Sequence, residues 1–298
     1  MQSSASVIAK GVKMNKSKTK STSKNSLQVM ELLEKELFSS VSENSAACYH
    51  LQSGGSRTRA KLCLQACEAL SLNEQTALTL ASCVELLHNA SLVHDDLQDN
   101  DAQRRGRASV WSRFGKDIAL CAGDLLLSKA YGALSDIEDV AKLPALIRCV
   151  SNNVSKTIEG QCKDIHQQVK SLADFEIIAA EKSGPLLQLS LALPLIAANY
   201  ESAVDKASEA IRQFAIAYQI ADDMDDWQAD LANGQLNVVN LLARESDHDQ
   251  AIELARTRAQ YLLKRCELEL KELPANCGES AIKACQLLFK TVCRSQNE

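Results

Sequence analysis

Four prolines and 11 glycines among 298 residues leave little of the turn chemistry that a protein of many short strands needs. No segment of useful length alternates apolar and polar residues with period two, so sheet architectures are excluded and long helices remain. Acid is missing altogether from the first thirty residues, which carry six lysines and many serines. Residues 31–298 therefore hold 27 bases against all 38 acids, a net charge of −11, which excludes a binder that grips nucleic acid through a basic surface. No apolar run suffices for a membrane span. The longest, Pro185 to Ala198, is broken by Gln188, Ser190 and Pro194, and a soluble protein is expected.

The basic tail, residues 1–28, has too few aromatic and β-branched side chains to bury a core, so it is expected to be disordered. Its composition equally fits an organelle transit segment, and it lacks the apolar centre of a secretory signal. Residues 29–298 contain no internal linker and are read as one domain. The eleven cysteines are scattered among apolar neighbours, as in Leu62-Cys63-Leu64. Cys63 and Cys67 stand one helical turn apart, but no second pair or nearby histidine completes a zinc site. They read as small buried hydrophobes in a reducing compartment, the cytoplasm.

Apolar residues recurring three and four apart predict helices over 27–39, 58–71, 74–98, 115–134, 143–170, 174–200, 203–227, 247–272 and 279–294. The body is thus expected to be all-α, a bundle of long helices around one core. Asn73 and Asp174 are read as N-caps, and Gly234 as part of a polar break after a helix ending near Asp226.

Two stretches stand out within this frame. Residues 94–101 read His-Asp-Asp-Leu-Gln-Asp-Asn-Asp, and 221–226 read Ala-Asp-Asp-Met-Asp-Asp. Both contain Asp-Asp-x-x-Asp. On a helix this puts Asp95 with Asp99, and Asp222 with Asp226, on one face a turn apart. Each cluster comes late in its predicted helix, where the macrodipole disfavours negative charge. Two carboxylates ~5 Å apart repel by about 3 kcal/mol at an effective dielectric near 20, so a cleft holding Asp95, Asp96, Asp99, Asp222, Asp223 and Asp226 calls for cations. Magnesium suits the purpose: a hard ion that takes oxygen ligands and bridges carboxylates to a substrate phosphate. One cluster alone reads equally well as a solvated helix end; two, each after a long apolar helix, point to metal. Neither has the glycine and distant glutamate of an EF-hand.

Arg104-Arg105-Gly106-Arg107 follows the first cluster, with forked donors for diphosphate oxygens. Gly54-Gly55-Ser56-Arg57-Thr58-Arg59 is a second glycine-led basic segment opening a helix, which suits an anion. By itself that segment is as well explained by a solvated loop, and His88 by a core histidine.

Together these residues resemble the trans-prenyl diphosphate synthases that make farnesyl, geranylgeranyl and longer chains. The resemblance covers nearly all of residues 45–240. It rests on Gly54-Gly55-x-Arg57-x-Arg59, Glu85-Leu86-Leu87-His88, Ser91-Leu92-Val93-His94-Asp95-Asp96 and Arg104-Arg105-Gly106. Ala122-Gly123-Asp124, Gly160-Gln161, Glu181-Lys182-Ser183-Gly184 and Gln219-Ile220-Ala221-Asp222-Asp223 extend it.

The resemblance implies an isoprenoid synthase type I fold with a central cleft, and a magnesium-dependent prenyltransferase. Such an enzyme joins an allylic diphosphate (dimethylallyl, geranyl or farnesyl) head-to-tail to isopentenyl diphosphate. It places magnesium on the six aspartates, with Arg104 and Lys182 on the allylic diphosphate. Isopentenyl diphosphate falls to Arg59, His88 and Arg105, and Ser183 and Gln219 stand beside the cationic carbon. A homodimer is implied as well. Two features depart from the pattern: Ser56 replaces the usual lysine after the paired glycines, and Gly234-Gln235-Leu236-Asn237-Val238-Val239-Asn240 replaces a lysine-bearing loop. Small Ala90 and Ser91 before the first cluster leave room for a farnesyl or geranylgeranyl product. A class I terpene cyclase and a non-catalytic regulatory subunit are the alternatives; Arg105 and the second cluster count against the former, the two intact clusters against the latter.

Overall fold

A computed structural model describes residues 22–166 and 169–294. Its regular structure is helical apart from one two-residue hairpin, and the all-α expectation holds. The chain forms two compact units, Met1–Ile147 and Arg148–Glu298. Of the basic tail, residues 1–21 lie outside the described residues, while 22–28 belong to the first helix.

In the first unit the elements are α1 (Thr22–Ser39), α2 (Ala46–Leu51), α3 (Thr58–Ala69), α4 (Glu74–Gln98), the hairpin strands β1 (Gln103–Arg104) and β2 (Arg107–Ala108), α5 (Val110–Phe114) and α6 (Lys116–Ala133). The central member, α4, packs against α6, α3 and α1. It is apolar all round because it is covered all round: Leu80, Leu86 and Leu87 are at most 2% exposed, each contributing about 2 kcal/mol through burial. Asn73 starts it as expected, its side-chain oxygen accepting from the Thr76 N–H at 2.8 Å.

The unit boundary at Ile147 falls in the first turns of α7 (Leu143–His166). The second unit continues with α8 (Leu172–Ala197), α9 (Val204–Asn233), α10 (Val238–Leu242), α11 (His248–Lys271) and α12 (Glu279–Arg294). Helix α9 packs against α8 and α11, and α12 packs on α11. A two-pronged pair from Arg258 to Glu176, at 2.6 and 2.8 Å, ties α11 to α8.

Two boundary readings need correction. The cap of α8 is Ser171, not Asp174; Asp174 sits three residues in and returns the hydrogen bond, so the two form a capping box. Helix α9 runs on to Asn233 and stops at Gly234, whose left-handed backbone (φ 66°) closes it. The polar residues after Asp226, Gln228 and Asp230 among them, do not break the helix, because polarity alone costs little where side chains reach water. Cys48, Cys63, Cys67, Cys83, Cys266, Cys277 and Cys285 are buried free thiols, as expected, but Cys121, Cys162 and Cys293 are exposed and Cys149 is half-buried, so burial does not hold for all eleven.

Candidate active site

The first aspartate cluster occupies the last turn of α4, with Asp99 as its C-cap residue. Burial divides the triplet. Asp96 is 1% exposed, Asp95 is half-buried and Asp99 is exposed. The hidden Asp96 is held from the hairpin: its Oδ1 accepts from Arg104 Nε at 2.7 Å and also from the Arg104 Nη2 group. Its other oxygen, Oδ2, is buried with no hydrogen-bond partner among the described residues. Burial pushes the Asp96 carboxyl above the usual range, and Arg104 only partly pulls it back.

Arg104 reaches Asp96 because β1 and β2 are joined by a two-residue turn with both central residues left-handed, Arg105 at φ 54° and Gly106 at φ 76°. That conformation twists the strands correctly but is costly for arginine. Contacts outside the turn secure it. The Tyr49 hydroxyl donates to Ala108 O at 2.8 Å, and the Arg107 and Arg113 guanidinium groups lie 4.5 and 4.3 Å from the Tyr49 ring centroid. Arg105 in turn lies against Gly55, where an added Cβ would come within 2.7 Å of its Cζ; the φ of 142° at that position favours glycine, and a side chain there would push the guanidinium aside.

The glycine-led basic segment splits its arginines. Arg57 points inward and is 5% exposed, pairing with Glu34 at 2.7 Å and Glu85 at 3.1 Å. It is therefore neutralised within the scaffold, and its left-handed backbone (φ 51°) is pinned by those pairs. Arg59 instead meets His88 Nε2 at 3.1 Å through Nη1. Burial, followed by Arg59 and Arg105, holds the His88 pKa well below the usual value, so the imidazole is neutral and accepts this bond. Ser56 Oγ contacts Thr58 Oγ1 at 2.8 Å.

The second cluster lies on α9, well before its end, and repeats the division. Asp223 is 4% exposed, Asp222 half-buried and Asp226 exposed. Asp223 Oδ1 accepts from Gln219 Nε2 at 2.8 Å, and Oδ2 from the Val238 N–H at 2.7 Å. Burial nevertheless pushes its pKa up to about 7, the two donors opposing and Asp222 and Asp230 assisting. On α8, Lys182 donates to Asp164 Oδ2 of α7 at 2.6 Å, beside a parallel pair, Lys163 to Glu181 at 2.6 Å; Ser183 next to them is half-buried.

Asp164, Asn237 and Val238 did not emerge from the sequence. Asn237 is 2% exposed and donates to Asp223 O at 2.8 Å and Asp230 Oδ2 at 2.9 Å, while its own oxygen caps α10. The clue was the polar NGQLN break itself, which here is the N-cap of a short helix folded onto the cluster.

The donors suit a hard divalent cation that takes oxygen ligands. Each cluster offers hard carboxylate oxygens on half-buried and exposed aspartates, and the first keeps a buried, unpartnered oxygen on Asp96. Among the described residues no group of three histidine, cysteine or acidic side chains is placed to hold a metal ion by itself.

A family model described as polyprenyl synthetase matches residues 41–239. Over 254 residues the chain is 30% identical to the chloroplastic heterodimeric geranylgeranyl pyrophosphate synthase large subunit 1 of Arabidopsis thaliana, covering 76% of this chain and 68% of that one. It is 29% identical over 208 residues to a short chain isoprenyl diphosphate synthase of Methanocaldococcus jannaschii, covering 66% and 63%. Among solved structures, a geranyltranstransferase from Thermotoga maritima aligns with a TM-score of 0.72 at 25% identity, covering 89% of this chain and 97% of that one. Geranylgeranyl pyrophosphate synthetase from Pyrococcus horikoshii aligns with a TM-score of 0.78 at 23% identity, covering 88% and 96%, which speaks to the fold.

Proposed function

Because this chain belongs to the polyprenyl synthetase family, we propose that its two aspartate clusters carry the magnesium ions that grip an allylic diphosphate, within one catalytic domain spanning residues 29–298. The chain is a prenyltransferase that condenses an allylic diphosphate head-to-tail with isopentenyl diphosphate to give a prenyl diphosphate. One observation carries the assignment of roles: in both clusters the middle aspartate is buried and anchored to the scaffold, while of the outer two, four residues apart, one is half-buried and the other exposed. Asp95 and Asp99 on α4, and Asp222 and Asp226 on α9, are the metal ligands in this reading, with the unpartnered Oδ2 of Asp96 available to the same ions; the anchored oxygens of Asp96 and Asp223 hold the clusters in place.

Magnesium, when bound, neutralises the diphosphate as it departs. Arg104 and Lys182 bind diphosphate oxygens, each poised by its carboxylate partner, Asp96 or Asp164. The carbon–oxygen bond breaks with its electron pair leaving on the diphosphate. The resulting allylic cation is attacked by the double bond of isopentenyl diphosphate, and a proton then passes to the released diphosphate. With its amide N–H spent on Asp223, Gln219 has its carbonyl oxygen for the cation, and Ser183 adds a hydroxyl dipole. Arg59, Arg105 and neutral His88 receive the isopentenyl diphosphate, alongside Ser56.

The product in this reading is geranylgeranyl or farnesyl diphosphate. Ala90, on the buried face of α4, is too small to close a tunnel beneath the first cluster. A homodimer is supported by α6, where Ile118 is 47% and Leu120 52% exposed. The helical segment Lys116–Asp136 is long and apolar enough to cross a membrane by composition, as is α4. A protein partner explains the former better than lipid, because exposed Asp124 and Lys129 interrupt it, and 83% of α4's apolar window is buried inside the protein. The cytoplasm is the compartment proposed, import through the basic tail being the alternative its composition allows.

Asp95→Ala and Asp222→Ala test the assignment. Each should lower turnover at least about a hundredfold with an unchanged helical spectrum; ordinary turnover in either would refute it.

A further inference from the structure

The Gly54–Arg59 segment is short of usable charge. Arg57 is neutralised by Glu34 and Glu85, and Ser56 carries none. Around the segment, the groups suited to an anion are nonetheless in place. Among the described residues Arg105 forms no ion pair; it lies on Gly55 and donates to Ser53 Oγ at 3.4 Å. His50, 2% exposed on α2, has a buried Nε2 with no hydrogen-bond partner among the described residues. Burial and then Arg105 hold that imidazole neutral, its pKa near 3, so it adds a polar contact and no charge.

Besides Arg105, which lies against Gly55, a second cation comes to the segment from outside it. Lys61, in the first turn of α3, folds back so that Nζ donates to Ser56 O at 2.6 Å. The side chain is exposed, and an ammonium has three donors, so two remain for a ligand. We propose that Lys61 is a further binding residue for the diphosphate of the second substrate, supplying beside Ser56 the positive charge that Ser56 lacks. The inference rests on the condensation proposed above and on the assignment of Arg59, His88 and Arg105 to isopentenyl diphosphate. Lys61 anchors to the backbone of residue 56, so its reach is fixed by the loop, whereas an unattached surface lysine would lose rotamer entropy on binding.

The test is Lys61→Gln, with Lys61→Arg and the double variant Lys61→Gln/Ser56→Lys as companions. For Lys61→Gln the KM for isopentenyl diphosphate should rise about tenfold, the size of one charge-assisted contact. Its kcat and the KM for the allylic substrate should stay within about twofold. Lys61→Arg should retain most of the affinity, and Ser56→Lys should restore it in the Lys61→Gln background. Calorimetric titration of isopentenyl diphosphate in EDTA should show the same weakening, since this contact needs no metal. An unchanged KM, equal rises for both substrates, or no restoration by Ser56→Lys would overturn the proposal. If the wild-type chain condenses nothing, the proposed function fails instead, and the metal-free titration still decides the role of Lys61.

Discussion

The side chain of Asn237 donates to the carbonyl oxygen of Asp223 at 2.8 Å, joining the segment after the second cluster to the helix that carries it. A second donor from the same amide reaches Asp230, and the Asn237 oxygen receives the Val239 N–H. One buried amide thus satisfies three groups, and the Val238 N–H beside it holds the Asp223 carboxylate. Where the family pattern has a lysine-bearing loop, this chain has a small buried clamp.

Removing that clamp has a defined cost. Asn237→Ala deletes a helix cap and leaves Asp230 without its donor, which should lower stability by about 1–2 kcal/mol in urea denaturation. Asn237→Asp keeps a capping oxygen but sets a second carboxylate against Asp230, so at neutral pH it should destabilise at least as much. A variant with Asp at 237 as stable as the wild type would show that the Asp230 contact contributes nothing.

His50, His88 and Asp223 are among the buried groups that set how stability responds to acid. His50 and His88 have folded pKa values below the unfolded value of 6.5, His50 near 3, through burial and neighbouring arginines. As pH falls below 6.5 the unfolded chain takes up these protons and the folded chain does not. Each histidine then removes stability by up to about 1.4 kcal/mol per pH unit. Asp223 acts oppositely: burial raises its folded pKa to about 7, so the folded chain gains its proton first as pH falls from 7 toward 4. Measured in EDTA between pH 7 and 5, His50→Gln should therefore flatten the loss of stability and Asp223→Asn should steepen it. Identical slopes for all three proteins would contradict these assignments.

Product length should respond to Ala90, which is 3% exposed on α4, five residues before Asp95. Ala90→Phe should shorten the main product by at least one five-carbon unit on chromatography of the dephosphorylated alcohols. An unchanged profile from a folded variant would remove Ala90 as a determinant.

Much of this was legible in the sequence, for reasons that can be named. The limits of α4 follow from Asn73 at one end and the acid-rich stretch at the other, both local signals. The aspartate triplets were legible as pairs four residues apart. Their division of labour was not, because the burial of Asp96 and Asp223 depends on partners eight and fifteen residues downstream, Arg104 and Val238. The cap of α8 was misplaced because either Ser171 or Asp174 can begin a helix, and only the reciprocal bond distinguishes them. The hairpin was too short for a period to register, and the same holds for α2, α5 and α10. Arg57 reads as part of a basic loop until Glu34 and Glu85 are seen around it.

The most direct measurement incubates the purified full chain with magnesium and isopentenyl diphosphate, offering dimethylallyl, geranyl and farnesyl diphosphates in turn, and sizes what forms. A trans-prenyl diphosphate longer than the allylic substrate by whole five-carbon units, ending at geranylgeranyl or farnesyl length and absent in EDTA, is the predicted result. Cyclised hydrocarbons formed without consumption of isopentenyl diphosphate, or no reaction with any of the three, would contradict the account.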